Sequence, residues 1–203
     1  MSVIPLYLAV EDDLSETVVR VVLKSCSQNY AVGPALGKKG SGWLKSKIFA
    51  YNLTARTCPF LVVTDLDDVD CPPSLIEAWL PRGKHHNLLL RIPVREIEAW
   101  VMSDRVGLAS FLGINSTKIP ADTETIENPK EFLTRLAKGS RNRVIRSDIV
   151  PALDSTAKVG PNYNARLGTF VMSQWSALRA VRASRSLKST IERLNTFVPL
   201  AQS

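Results

Sequence analysis

Cysteine and histidine are scarce in this chain. Its three cysteines, Cys26, Cys58 and Cys71, show no C-x-x-C spacing. That argues against both a disulfide framework and a structural zinc site. The two histidines are adjacent, His85 and His86, with no matching carboxylate or cysteine spacing, so a strand-edge role suits them better than zinc. No Ser-His-Asp set is recognisable. No apolar run approaches the roughly 20 residues that span a bilayer, so no membrane association is expected. The N-terminus has no basic stretch and turns acidic at Glu11, which does not read as a signal peptide. A reducing cytoplasm is the expected location. Internal repeats and low-complexity linkers are also missing. The 203 residues suffice for one good core with a small appendage.

Charge is present in excess, but unevenly. The formal net charge is +7; residues 141–203 hold ten Lys/Arg against three Asp/Glu, and residues 1–140 hold 16 of each sign. This asymmetry favours a polyanionic partner for the C-terminal part. The competing explanation is a solvated basic face with no ligand.

Two acidic clusters stand at the ends of apolar runs. Val3 to Val10 precedes Glu11-Asp12-Asp13, and Phe60 to Thr64 precedes Asp65-Leu66-Asp67-Asp68. Apolar runs without polar alternation read as strands buried on both faces. Carboxylates just past such strands lie where open α/β sheets place their ligand sites. Glu11, Asp65 and Asp67 are therefore expected at one sheet edge, as hard oxygen ligands suited to Mg²⁺ or Mn²⁺. In an extended segment, residues two apart face the same side, so Asp65 and Asp67 would both reach one cation. An Asp-rich turn is the bland alternative. Asp12 or Asp13 would cap the next helix, and Asp68 and Asp70 the next turn.

The pattern predicts strands at 3–10, 29–33, 60–64 and 87–92, separated by helices at 12–24, 43–56 and 73–80. This alternation gives an α/β class, with a mainly parallel sheet flanked by helices. After about residue 104 no strand is convincing. Apolar spacing around Phe132, Leu167 and Leu187 predicts helices, so an α/β core at 1–104 carries a helical, basic extension at 105–203 packed on it. Pro120 to Pro129 is the expected mobile loop. Glu96 and Glu98 begin the helix after the last strand; about 200° apart on it, they would not both face a metal, and Glu98 is the chosen fourth ligand. The glycine-rich turn Gly33 to Gly42 is not a Walker loop: three residues rather than four separate Gly33 and Gly37, and Lys38 is followed by Lys39 rather than Ser or Thr. Its Lys38 and Lys39, with Lys45, and Arg182 and Arg185 from the C-terminal half, are the expected nucleic-acid contacts.

At Glu11 and Asp65-Leu66-Asp67 the sequence resembles the Toprim superfamily of topoisomerases, primases and OLD-family nucleases. More closely it resembles a Toprim-like bacterial family encoded beside AAA or SMC-like ATPases in anti-phage loci. The matching pieces are Leu8 to Asp12, Gly40 and Gly42, Val63 to Asp67, Arg95 to Trp100, Gly160 to Asn164 and Ser184 to Leu187. The resemblance implies Mg²⁺ at Glu11, Asp65 and Asp67, with Asp68 in place of a third acidic position of some Toprim enzymes. It also implies an AAA/SMC-like ATPase partner. Self-association is compatible with it.

The leading expectation is a metal-dependent nuclease, cleaving DNA or RNA, with Glu11, Asp65 and Asp67 as its catalytic residues. A HAD-like phosphatase using Asp65 as nucleophile is the second; its motif normally opens the fold, and here 64 residues precede Asp65. A non-catalytic partner subunit of an ATPase is the third.

Overall fold

The computed structural model describes residues 3–200. Four strands, β1 (Val3–Val10), β2 (Asn29–Gly37), β3 (Phe60–Val63) and β4 (Leu88–Arg91), form one all-parallel sheet in the order β2-β1-β3-β4. Helices α1 (Asp13–Ser25), α2 (Ser41–Thr54) and α3 (Pro72–Trp79) connect them. The chain is thus α/β, with a parallel sheet flanked by helices.

The lack of polar alternation has a direct cause. Leu8, Val10, Leu61, Val63 and Leu89 enter one core with Leu14, Val18 and Val22 of α1, while Ala9, Phe60, Val62, Leu88 and Leu90 enter another with Leu44, Ile48 and Tyr51 of α2. Both faces of the central strands are covered. Strand β2 runs past its expected end at residue 33. Its register against β1 shifts between Leu6 and Leu8, and pairing resumes at Ala35 to Gly37. The slip falls at Gly33-Pro34, where the proline offers no amide to the ladder. Asp12 caps α1, its carboxylate accepting from the Ser15 amide at 2.8 Å. Helix α3 starts differently: its N-cap residue is Cys71, and no side-chain hydrogen bond caps it.

The second half is helical: α4 (Ile97–Ser103), α5 (Arg105–Leu112), α6 (Pro129–Lys138), α7 (Arg143–Ile149), α8 (Tyr163–Ser173), α9 (Ala177–Ala180) and α10 (Arg185–Asn195). Leu133, Leu167, Phe170, Leu187, Leu194 and Phe197 share one apolar cluster with Leu8 and Leu14. Part of the basic excess is structural here. Asp104 is fully buried and accepts from both Nε and Nη2 of Arg179, at 2.7 and 2.6 Å, and from the Ser176 amide. Arg166 pairs with Asp148. The Pro120–Pro129 segment, expected to be a mobile loop, instead holds a 3-10 turn at Thr123–Thr125 and is fastened: Thr123 is buried, and Glu124 accepts from Ser184 Oγ, Ser186 N and Ser186 Oγ at 2.6–2.7 Å. No helix among the described residues is long and apolar enough to cross a membrane.

Gly160 locks the turn before α8. Its amide donates to the Ile149 carbonyl, and a Cβ there would stand 2.4 Å from the Asp148 carbonyl oxygen. Backbone cannot yield as a flexible side chain does. Gly160→Ala is expected to cost about 2 kcal/mol, read by urea denaturation. An unchanged midpoint would refute the close approach.

Candidate acidic site at the carboxyl end of the sheet

Strand order sets the site. The chain passes from β1 to β2 on one side, then returns to place β3 on the other. β1 and β3 therefore flank the point where winding reverses, and a crevice opens beyond their carboxyl ends. Glu11 directly follows β1, and Thr64 and Asp65 directly follow β3. Glu11 Oε1 accepts from Thr64 Oγ1 at 2.5 Å and from the Asp65 amide at 2.8 Å. Two residues 54 positions apart are thereby joined. Asp65 Oδ1 in turn accepts from the Ile97 amide of α4 at 2.9 Å.

The expected geometry of the Asp-x-Asp pair is corrected here. Asp67 has φ +49°, so the segment is not extended and the period-two argument fails. The left-handed conformation is held by Arg95: its carbonyl accepts from the Leu66 and Asp67 amides at 2.9 and 3.0 Å, and its Nη1 donates to the Asp67 carbonyl. Asp67 lies at the exposed rim and Asp65 is half-buried; Asp68 is exposed beside them. Such a backbone costs on the order of 1 kcal/mol and persists only where neighbours enforce it.

Glu98 is the deepest carboxylate of the site, with no exposed surface. Its Oε1 accepts from the Tyr163 hydroxyl at 3.1 Å and faces Lys130 Nζ at 3.5 Å, while Oε2 is buried with no hydrogen-bond partner. Glu96 does not begin the helix as expected: it is the extended residue before α4, so the 200° argument does not apply to it. Its Oε2 accepts from the Lys130 amide at 2.7 Å, at the start of α6.

The electrostatics confirm a crowded set of like charges. Burial raises the Asp65 carboxyl well above the usual range, and Glu98, Glu11 and Asp67 add to that against Lys130. Burial pushes Glu98 up to about 7, with Lys130 opposing and Glu96 and Asp12 adding. Glu11 is raised by burial, against its bonds to Thr64 and Asp65, with Asp67 and Asp12 adding. Burial disfavours charge on Lys130, but Glu98, Glu96, Asp65 and Asp12 outweigh it and hold the ammonium above the usual lysine range.

Glu11, Asp65 and Glu98 are thus brought together, with Asp67 at their edge. Lys130 and Tyr163 were not foreseen as members. Tyr163 lies inside the Gly160–Asn164 stretch, which offered a signal; Lys130 offered none. Among the expected nucleic-acid contacts, Lys38 is engaged elsewhere, its Nζ bonded to Asp13 and Glu16 at 2.8 and 2.5 Å. Lys39 and Lys45 are exposed. Arg182 and Arg185 are exposed too, and with Lys188 they line a separate cavity of about 630 Å³ that contains none of the four carboxylates.

Among the described residues, no three His, Cys, Asp or Glu side chains already surround one point as metal ligands. The donor chemistry nevertheless fits a hard cation. The scaffold bonds named above engage Oε1 of Glu11, Oδ1 of Asp65 and Oε1 of Glu98, while Oε2 of Glu98 is buried without a partner. An all-oxygen, negatively charged set suits Mg²⁺ or Mn²⁺.

Comparison with protein-family models, with curated proteins and with solved structures gives no match. The functional reading therefore rests on the residues.

Proposed function

We propose that the chain is a Toprim-like, Mg²⁺- or Mn²⁺-dependent nuclease. The observation that carries this reading is the joining of Glu11 to Asp65 at the reversal point of a parallel sheet, beside a buried Glu98 oxygen with no partner. The sequence resemblance at the same residues supports it. Glu11, Asp65, Asp67 and Glu98 would hold the ion, which when bound polarises a phosphodiester and lowers the pKa of water.

The protein's own groups do the positioning. Thr64 and the Asp65 amide orient Glu11, and the Ile97 amide orients Asp65. Glu11, with its raised carboxyl, takes a proton from the attacking water. Lys130 offsets the negative charge that a phosphate would otherwise meet. Lys39, Lys45, Arg182 and Arg185 hold the nucleic-acid backbone, whether DNA or RNA. In this reading the chain is a cytoplasmic effector paired with an AAA/SMC-like ATPase in anti-phage defence.

The test incubates the protein, alone and with any neighbouring ATPase, with plasmid DNA and with RNA in Mg²⁺ or Mn²⁺. Cleavage lost in both Glu11→Gln and Asp65→Ala is the expected result. Wild-type cleavage in both would sink the site. Phosphatase turnover that needs Asp65 but survives Glu11→Gln would favour the HAD-like reading. Nucleic-acid binding without turnover would favour a non-catalytic subunit.

A further inference from the structure

The second core leaves an apolar stripe uncovered. Helix α2 buries Leu44, Ile48 and Tyr51, yet it also carries Phe49, 66% exposed, and Leu53, 54% exposed. These two are four residues apart, so they form one surface on the helix. Large apolar side chains grouped in the open mark an interaction site more often than single exposed residues do. Here they form one wall of a groove of about 520 Å³, whose other wall is the turn from Trp79 to His85. That turn is fixed in place. Asn52 of α2 donates to the Gly83 carbonyl and accepts from the His85 amide, and Lys84 Nζ donates to the Leu88 carbonyl.

The charge around the groove has one sign. Arg56, Arg82 and Lys84 line it, and no Asp or Glu does. An apolar floor with a cationic rim complements an apolar stripe flanked by acidic residues. Helices of this proportion dock through anchors at i, i+3 or i+4. A single nucleic-acid strand would want a run of stacking rings, whereas Leu53, Leu80 and Pro81 supply aliphatic contacts along with Phe49 and Trp79. The groove also lies beside the turn that leads into the amino end of β4, whereas the acidic site lies beyond the carboxyl ends of the strands. A strand held there would not be presented for cutting.

We infer that this groove binds an acidic amphipathic helix of a partner protein. The inference stands apart from the nuclease reading, since it uses none of the acidic-site residues.

A random library of peptides about 16 residues long, some four turns of helix, is selected on the intact protein and counter-selected on the Phe49→Ser/Leu53→Ser variant. Both replaced side chains are exposed, and circular dichroism and melting check that the variant is folded. The expected winners carry apolar residues at i and i+4 and a net negative charge. A synthetic winner should bind at least about tenfold more weakly to Phe49→Ser, as for a central anchor, and to Arg56→Glu/Arg82→Glu. Its binding should also weaken severalfold as salt rises. Basic or unpatterned winners, no enrichment, or affinity indifferent to these substitutions would overturn the inference. So would a labelled oligo(dT) probe that binds the wild type and is lost with Phe49→Ser, because the groove would then be a nucleic-acid platform. Cleavage, if present, stays at wild-type level in Phe49→Ser, so this test and that of the nuclease fail separately.

Discussion

Asp65→Asn is expected to remove divalent-cation-dependent cleavage by on the order of 10³-fold, equivalent to about 4 kcal/mol of transition-state stabilisation. The same change should raise the melting temperature of the metal-free protein. The two effects have one cause. Asp65 sits among Glu98, Glu11 and Asp67, and burial with that repulsion holds its carboxyl well above the usual range. A carboxyl raised in the folded state favours folding below its unfolded pKa, and that advantage is lost as pH rises through the folded value. At neutral pH, where the unfolded chain holds this carboxyl ionised, Asp65 is therefore a cost to the fold. Asparagine removes the charge and keeps an Oδ1 for the Ile97 amide. Melting curves with and without Mg²⁺ read the result. The wild type should gain stability with the ion, and the variant should gain little. A variant that melts lower without metal would refute this account of Asp65.

Lys130→Met is the second large effect, and it acts through Glu98. Removing one partner of a buried pair leaves the other charge uncompensated. Lys130 is about a third exposed, so solvent moderates the loss. The expected cost is about 3 kcal/mol at pH 8. The pH dependence follows from Glu98, held up to about 7 against an ordinary value of 4.5. Below about 7 the folded protein holds Glu98 neutral, and neutral Glu98 does not need the ammonium. Without Lys130 that carboxyl rises further. The cost of Lys130→Met should therefore shrink as pH falls from 8 to 5.5, and Glu98→Gln in the same background should restore most of it. A cost that is flat with pH, or larger in acid, would show that Lys130 acts by packing alone.

Much of this architecture is legible in the sequence because local and global signals agree. The runs Val3–Val10 and Phe60–Val63 have no polar alternation because helices cover both faces, and buried parallel strands follow. Glu11 and Asp65 are legible for the same reason, since the residues that end such strands face the crevice. Four features escape. The turn at Asp67 depends on Arg95, which arrives from a distant segment, so the residue pair looks extended when read alone. The continuation of β2 past Pro34 depends on a bulge against β1. Lys130 reaches Glu98 only after a whole helical layer has folded over the sheet. Helix α5 escapes for a simpler reason: it is as short as α3 but lacks the prolines that mark the start of α3.

The shared apolar cluster has a consequence for how the protein is made. Leu8 and Leu14 leave the ribosome more than 170 residues before Leu187, Leu194 and Phe197, which share their apolar cluster. Strand β1 waits for helix α10. Lys130 and Tyr163 also emerge well after Glu11, Asp65 and Glu98. A nascent chain or a prematurely terminated one therefore exposes an unfinished core and an acid cluster without its counter-charge. In the nuclease reading, a cell making this protein is spared a working site until the helical half has been translated.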